Sequence, residues 1–263
     1  MSLKTNQIAA IKQLLTNQIR KKLAEYNPEP NSMPFHTRLL GADRMALFSF
    51  IHSLNTNFGT TIFEPVAVAL AEGRFQHAAS QAIAGDNISS EAQRVIQEIM
   101  NSLQTAEAEP SQEDEIRRIK AVCQAGKMVH VKLTRVDLLL EGREGTFYLF
   151  HLKTAKPNAG GFKEFKRTLL EWTAAVLAKN PKANVNAAIA IPYNPYEPKP
   201  YDRWTMRGML DLDSQLYVAK DLWDFLGGQG AYETLLDCFE AVGVKLKPEI
   251  DARFDKFKRT GNP

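Results

Sequence analysis

Asp137, His151 and Lys153 are the residues whose types and spacing could do chemistry together. Asp137 lies in the apolar segment 135–140, and the other two lie in the segment 150–154, beyond a connection that contains two glycines. Both segments contain the alternating and β-branched or aromatic residues that are typical of strands. We therefore expect a β-hairpin with an acid on its first strand and a histidine and a lysine on its second.

The register of this hairpin decides whether the three side chains meet. A connection centred on Glu144 places Asp137 opposite His151, with Lys153 one step further along the same face. A connection centred between Arg143 and Glu144 would place Asp137 opposite Phe150, on the other face. Because a carboxylate on the apolar side of a strand is costly unless it is paired or bound to a metal, the chemistry requires the first register.

An acid and a lysine on adjacent strands suit the hydrolysis of a phosphodiester. A carboxylate-bound divalent cation stabilises the charge at phosphorus and lowers the pKa of a bound water, and a lysine can orient or deprotonate that water. The sequence trace is an Asp followed, across a hairpin, by (Asp/Glu)-x-Lys. The pattern alone equally describes an Asp–Lys pair on a solvated strand.

The hairpin resembles that of the PD-(D/E)xK nucleases, in which a helix follows the lysine. This sequence departs from their pattern at His151, which stands where the second acid is expected. Three explanations remain open. His151 is a tolerated substitute, with Asp137 and a backbone carbonyl holding the metal; or the acid has moved to the next helix, with Glu164 nearer and Glu171 farther; or the chain has lost activity.

Glu64 is a further carboxylate that could reach the same site. It lies next to Pro65, in the first turn of an expected helix, where a proline is tolerated. Many restriction enzymes carry an acid on an early helix after Gly-x-x-x-x-Glu, and Gly59 and Glu64 have that spacing. The alternative is an acid that the positive end of the helix favours. With Asp137, Glu64 completes the expected metal ligands.

Three longer segments are similar to the TdeIII-type restriction endonucleases, and the resemblance covers roughly residues 59–250. The segments are 153–172, 192–204 and 223–228. The resemblance implies an α/β protein with a restriction-endonuclease-like core, a mixed β-sheet flanked by helices. It also implies Mg²⁺, a homodimer, double-stranded DNA as substrate and a short palindrome of the GGNCC kind.

Basic residues follow the hairpin closely. Between residues 153 and 182 there are seven lysines and arginines against two acids, a surface that suits a phosphate backbone or a solvated helix face. Those nearest the hairpin are expected close to the scissile phosphate: Lys156, Asn158, Lys163, Lys166 and Arg167. The proline-rich loop 193–207 is expected to contact bases, because arginine and lysine often bind guanine edges. Its basic residues are Lys199, Arg203 and Arg207.

The remaining elements frame a mixed α/β chain. We expect helices over 8–19, 42–54, 64–70, 90–103 and 162–177, strands over 129–140, 146–154 and 185–191, and helices from 218 onward, with loops at 55–61 and 105–114. We treat residues 1–263 as a single domain: a mainly helical part (1–104) that carries the Glu64 helix and dimerises, an α/β core (115–210) and C-terminal helices (211–263).

Composition excludes several other classes of protein. Only Cys123 and Cys238 are present, so neither a disulfide framework nor a zinc ribbon is expected. No apolar run is long enough for a membrane span and the first residues lack a signal-peptide core, so we expect a cytoplasmic protein. We also expect no small-molecule cofactor. Two alternatives share the same core: a non-specific repair or defence nuclease, and a catalytically inactive DNA-binding relative.

Overall fold

Five strands form a mixed β-sheet that lies between two layers of helices. The computed structural model describes residues 3–26, 33–153, 161–202 and 206–259. The strands are β1 (His77–Ala82), β2 (Asn87–Ser89), β3 (Met128–His130), β4 (Val136–Glu141), β5 (Thr146–Leu152), β6 (Asn184–Ile191) and β7 (Leu216–Val218). The helices are α1 (Thr5–Glu25), α2 (Pro34–Leu40), α3 (Ala42–Phe58), α4 (Glu64–Ala71), α5 (Ser90–Gln104), α6 (Gln112–Val122), α7 (Phe162–Lys179), α8 (Lys220–Gly227) and α9 (Ala231–Arg259).

The sheet has the strand order β1-β4-β5-β6-β7. β1, β4 and β5 pair antiparallel, whereas β5, β6 and β7 pair parallel, with α7 connecting β5 to β6. β2 and β3 form a separate antiparallel pair. The mixed α/β class that the sequence predicts is therefore confirmed.

Both faces of the sheet are apolar and each is covered by its own helices. One core contains residues of α5, α6 and α7, and the opposite core contains residues of α1, α4, α8 and α9. Strand β6, which lies between β5 and β7, is buried over most of its length, as expected for a strand covered on both sides. No helix in the described ranges is long and apolar enough to cross a membrane.

The predicted hairpin register is confirmed. Leu138 pairs with Phe150 and Leu140 with Tyr148, which centres the connection on Glu144. Continued by one residue, this register places Asp137 opposite His151. The antiparallel arrangement also brings the beginning of β4 beside the end of β5.

Several element boundaries differ from those predicted. The first hundred residues contain β1 and β2 as well as helices, and residues 131–135 interrupt the expected strand over 129–140. β1 has the sequence His-Ala-Ala-Ser-Gln-Ala, which has no β-branched residue, so its pairing with β4 decides its conformation. The loop expected at 55–61 is helical, because α3 continues to Phe58 and a π-helical turn leads directly into α4.

A buried ion pair connects α6 to α7. Lys166 is 0% exposed, and its Nζ donates to Glu115 Oε2 at 2.6 Å and to Gln215 Oε1 at 2.8 Å. Burial lowers the pKa of Lys166 and raises the pKa of Glu115, while each charge opposes the shift of the other. Each charge therefore depends on its partner.

Removing one member of this pair should be far more damaging than removing both. We expect Lys166→Met to lower the free energy of unfolding by about 3–5 kcal/mol, since it leaves Glu115 buried without its cation. The double variant Lys166→Met/Glu115→Leu should recover most of that loss. Urea denaturation measures both, with Lys163→Met, an exposed position on the same helix, as the control. Equal stability of the single and double variants would contradict the pairing.

Candidate active site

The polar residues of interest meet at one end of the sheet, where several strands begin or end. The beginning of β4 lies there beside the end of β5 and the end of β1, because these strands are antiparallel. Helix α4 and the first turn of α7 border it, and they contribute Glu64 and Glu164. We call this place the strand-end site: Glu64, Gln81, Asp137, His151 and Lys153.

Asp137 is the most connected residue of the strand-end site. Its Oδ2 lies 2.7 Å from His151 Nδ1 and accepts the Leu152 backbone N–H at 2.8 Å. Its Oδ1 accepts the Gln81 amide at 3.3 Å. An ionised carboxylate only accepts hydrogen bonds, so Nδ1 of His151 must carry the proton that it donates. These contacts satisfy a carboxylate whose side chain is only 16% exposed.

His151 supports Asp137 and is enclosed by aromatic rings. Its residue is 7% exposed, and its ring packs edge-on against Trp172 and Phe165 of α7, at centroid distances of 5.3 and 5.5 Å. Since Nδ1 is committed to Asp137, that nitrogen is not free to ligate a cation. The contact with Nδ1 orients the Asp137 carboxylate, and Nε2 is the one ring nitrogen of His151 that stays available to a ligand.

Lys153 lies immediately after β5, where its backbone N–H donates to Ala190 of β6 at 2.9 Å. Its Nζ is 4.4 Å from the centre of the Phe165 ring. Burial lowers the pKa of the Lys153 ammonium, and the charges of Asp137 and Glu164 oppose part of that shift. A lysine whose pKa is lowered gives up its proton more readily, which suits proton transfer near neutral pH.

Glu64 is brought to the site by the π-helical turn Gly59–Phe63. Its backbone N–H donates to the Gly59 carbonyl, which closes the wider turn that the Gly-x-x-x-x-Glu spacing spans. Single π-helical turns occur frequently at functional sites. Glu64 begins α4, as predicted, and is only 2% exposed. Burial raises the pKa of its carboxyl, the hydrogen bond from Gln81 opposes that shift, and the Asp137 charge adds to it.

Gln81 was missed by the sequence analysis and connects the two acids. Its Nε2 lies 3.0 and 2.9 Å from the two carboxylate oxygens of Glu64 and 3.3 Å from Asp137 Oδ1. Glu64 and Asp137 thus approach a single amide group from two elements. The alanine-rich sequence of β1 carries no motif that could have indicated this role.

The donor chemistry of the strand-end site fits a hard divalent cation. Among the residues that the structure describes, no group of three or more His, Cys, Asp or Glu side chains could hold a metal ion. Glu64 and Asp137 nevertheless both accept hydrogen bonds from the Gln81 amide. Mg²⁺ is commonly bound by one or two carboxylates, with water completing its coordination shell. The two residues predicted as ligands are therefore brought together, and they suit magnesium.

The acids considered as replacements for the second acid differ in their surroundings. Glu164 is exposed in the first turn of α7, and its charge acts on Lys153. Glu171 is half-buried and lies 3.9 Å from Arg167 Nη1, an ion pair of its own. Of the two, Glu164 lies in the electrostatic field of the strand-end site.

The predicted DNA-binding residues are divided between surface and interior. Lys163, Lys199 and Arg207 are exposed, and Arg167 is half-buried and donates to Gln97. Lys166 is buried in its pair with Glu115, so the expectation that it contacts DNA is not compatible with this structure. Lys156, Asn158 and Arg203 lie outside the described residues.

Restoring the acid at position 151 tests how Asp137 is held. We expect His151→Glu to lower the melting temperature in EDTA, since it puts two carboxylates side by side at a site with little water. Mg²⁺ should restore much of the loss by binding between them. His151→Gln, which carries no charge, is the matched control. Thermal unfolding with EDTA and with Mg²⁺ measures the difference; a melting temperature in EDTA equal to that of the control would contradict the proximity of the two groups.

Comparison with known proteins identifies the family of the chain. A family model described as type II restriction endonuclease, HinfI, matches residues 3–243. The type II restriction enzyme MjaII of Methanocaldococcus jannaschii is 25% identical over 250 residues, which cover 85% of this chain and 65% of the relative. The type II restriction enzyme HgiEI of Herpetosiphon aurantiacus is 27% identical over 229 residues, 82% of this chain and 79% of the relative.

A further relative from Herpetosiphon aurantiacus, the type II restriction enzyme HgiCII, is 25% identical over 244 residues, which cover 87% of this chain and 84% of the relative. The chain thus spans about two thirds of the length of MjaII and more of the others. The expected restriction-endonuclease character of the fold and sequence is confirmed. Because the family model covers nearly the whole sequence, the chain belongs to the HinfI family of type II restriction endonucleases.

Proposed function

We propose that the chain is a magnesium-dependent endonuclease that hydrolyses both strands of DNA at a short palindrome. The observation that carries the proposal is the convergence of Asp137 and Glu64 on Gln81, with Lys153 in the electrostatic field of Asp137. Membership of the HinfI family supports the reaction class, and the relatives' names supply the site-specific character. A DNA substrate would place the protein in the cytoplasm.

The residues of the strand-end site divide the work between them. Glu64 and Asp137 would hold the cation, which when bound supplies charge stabilisation at phosphorus and a more acidic water. Lys153 orients the attacking water or accepts its proton, which a lowered pKa favours. His151 keeps Asp137 oriented through its Nδ1–H, and the aromatic rings around His151 keep water away from that hydrogen bond.

DNA would lie across the basic residues near the strand-end site. Lys163 and Arg167 on α7 suit the phosphate backbone, and Lys199 and Arg207 on the loop 193–207 suit groove contacts. We include Lys156, Asn158 and Arg203 in the same surface on the basis of their sequence positions. The TdeIII-type resemblance makes GGNCC the proposed recognition sequence.

Digestion of a fully sequenced, unmethylated plasmid tests the proposed reaction. With Mg²⁺ we expect discrete fragments whose ends map to GGNCC, and with EDTA we expect none. Lys153→Met should lower the cleavage rate by about 10²–10⁴, the usual contribution of a positioned proton-transfer group. Asp137→Asn should also lower the rate strongly, because it removes a charged ligand of the cation. Lys179→Met, an exposed lysine at the far end of α7, is the control and should cleave normally.

Other outcomes of the digest identify the alternatives. Metal-dependent degradation without defined ends would indicate a non-specific nuclease of the same fold. Intact DNA with Mg²⁺ and with Mn²⁺, together with salt-dependent DNA binding, would indicate an inactive DNA-binding relative. Near-normal cleavage by Asp137→Asn would contradict the assignment of the site itself.

A homodimer is the second part of the proposal, and its interface would be formed by α2 and α3. A two-fold dimer presents equivalent sites to the two halves of a palindrome. We define the α2–α3 face by large apolar side chains that are all exposed: Met33, Phe35, Leu39, Leu40, Leu47, Phe48 and Ile51. Phe35 and Leu39 are 83% and 81% exposed, and apolar clusters of this size commonly mark protein interfaces.

Polar substitutions on the α2–α3 face should separate the subunits. We expect the wild-type protein to sediment as a dimer and Phe35→Ser/Leu39→Ser to sediment as a monomer, because the substitutions remove apolar area from the interface. Val244→Ser on α9, 71% exposed, is the control. Analytical ultracentrifugation measures the mass; a dimer that survives the double substitution would place the interface elsewhere.

A further inference from the structure

The strand-end site provides two carboxylates, whereas the two acids of the PD-(D/E)xK pattern together with the acid of an early helix would provide three. His151 occupies the position of the second acid and its Nδ1 is committed to Asp137 at 2.7 Å. Glu164, the nearer acid on α7, is exposed and its charge acts on Lys153. A cation held by Glu64 and Asp137 therefore has room for a further oxygen ligand from another residue.

We propose that Gln81 supplies the third side-chain oxygen of the cation site, in place of the missing acid. Its amide lies within 3.3 Å of oxygens from both Glu64 and Asp137. The inference rests on the proposed function, because it assumes that these two carboxylates bind the cation. It assigns a residue that the nuclease motif does not contain.

The backbone of β1 is distorted at Gln81 in a way that turns this side chain toward the acids. Gln81 has φ +52°, in the left-handed region that a residue other than glycine rarely adopts. The pairing of β1 with β4 includes Ser80 with Leu138 and Ala82 with Val136, and it omits Gln81, which would lie opposite Asp137. Arg135 Nη1 donates to the Gln81 carbonyl at 2.8 Å and holds the distorted segment in place.

The alternation of side chains breaks at the same point on both strands. Ala78 and Leu138 pack with the core of α1, α4, α8 and α9, whereas Ala82 and Val136 pack with the core of α5, α6 and α7. In a regular strand, residues two or four positions apart lie on the same face of the sheet. Ala78 and Ala82 would therefore share one face, and Val136 and Leu138 would also share one face. Backbone strain of this kind is unfavourable and tends to persist at functional sites.

A side-chain amide suits both states of such a site. Without a cation its NH₂ group donates to the two carboxylates and reduces the repulsion between them. A rotation about the bond to the amide carbon exchanges nitrogen for oxygen, because the two ends of the group have nearly the same shape. Glutamine carbonyl oxygens are accepted ligands of Ca²⁺, and Mg²⁺ likewise takes oxygen ligands.

Calcium binding to the purified protein, measured by isothermal titration calorimetry, tests this assignment without relying on cleavage. Gln81→Met keeps the length of the side chain and removes both amide atoms, and we expect it to weaken Ca²⁺ binding about ten-fold or more. Gln81→Glu should bind Ca²⁺ at least as tightly as the wild type, because it restores an acid. Gln124→Met, an exposed glutamine elsewhere, should bind as the wild type does.

The outcomes separate this inference from the proposed function. Wild-type binding that Glu64→Gln abolishes and Gln81→Met does not weaken would leave the cation site in place and overturn the role of Gln81. Weaker binding by Gln81→Glu would overturn it as well, including where Gln81→Met fails to fold. Absence of Ca²⁺ binding in the wild-type protein would overturn the cation site, and the assignment of Gln81 with it.

Discussion

The Asp137 carboxylate is the constraint on which the strand-end site depends. A largely buried carboxylate needs hydrogen-bond donors. Those of Asp137 are the His151 ring and the Leu152 backbone N–H on β5, and the Gln81 amide on β1. Each donor comes from a neighbouring strand, so the site exists only when β1, β4 and β5 pair in this register. Folding of the sheet and assembly of the site are therefore the same event.

Two lysines that follow the hairpin show how surroundings decide the role of a charge. Lys166 points into the interior and is matched by Glu115 and Gln215, so its charge serves stability. Lys153 is also desolvated, and its Nζ lies 4.4 Å from the centre of the Phe165 ring. Burial lowers the pKa of Lys153, the charges of Asp137 and Glu164 oppose that shift, and the strand-end site is a place where a proton can be exchanged with a ligand.

The histidine at position 151 changes the nuclease pattern without removing the site. Its ring takes over the task of orienting Asp137, and the rings of Phe165 and Trp172 fix its plane. An acid at that position would instead face Asp137 as a like charge. In this chain an imidazole that orients Asp137 thus stands where the nuclease pattern has its second acid.

The sequence by itself determined the hairpin, the helix that carries Glu64 and the mixed α/β class. These features depend on local patterns, which are alternating apolar residues and a proline that begins a helix. Two registers of the hairpin were compatible with the sequence, and the requirement that Asp137 lie opposite His151 selected the register that the structure has. Strand β1 could not be predicted, because alanine, serine and glutamine have no strand preference and only the edge of β4 makes them a strand.

The tertiary structure alone decided that Gln81 contacts the two acids. Along the chain, Gln81 is 56 residues from Asp137 and 17 residues from Glu64. The three residues come together because the edge strand of the sheet packs against α4. It also decided that Lys166 is internal, since its position on α7 faces α6 and Glu115. Local sequence specifies which side chains a strand or helix offers, whereas packing between elements determines which partners and how much water each one meets.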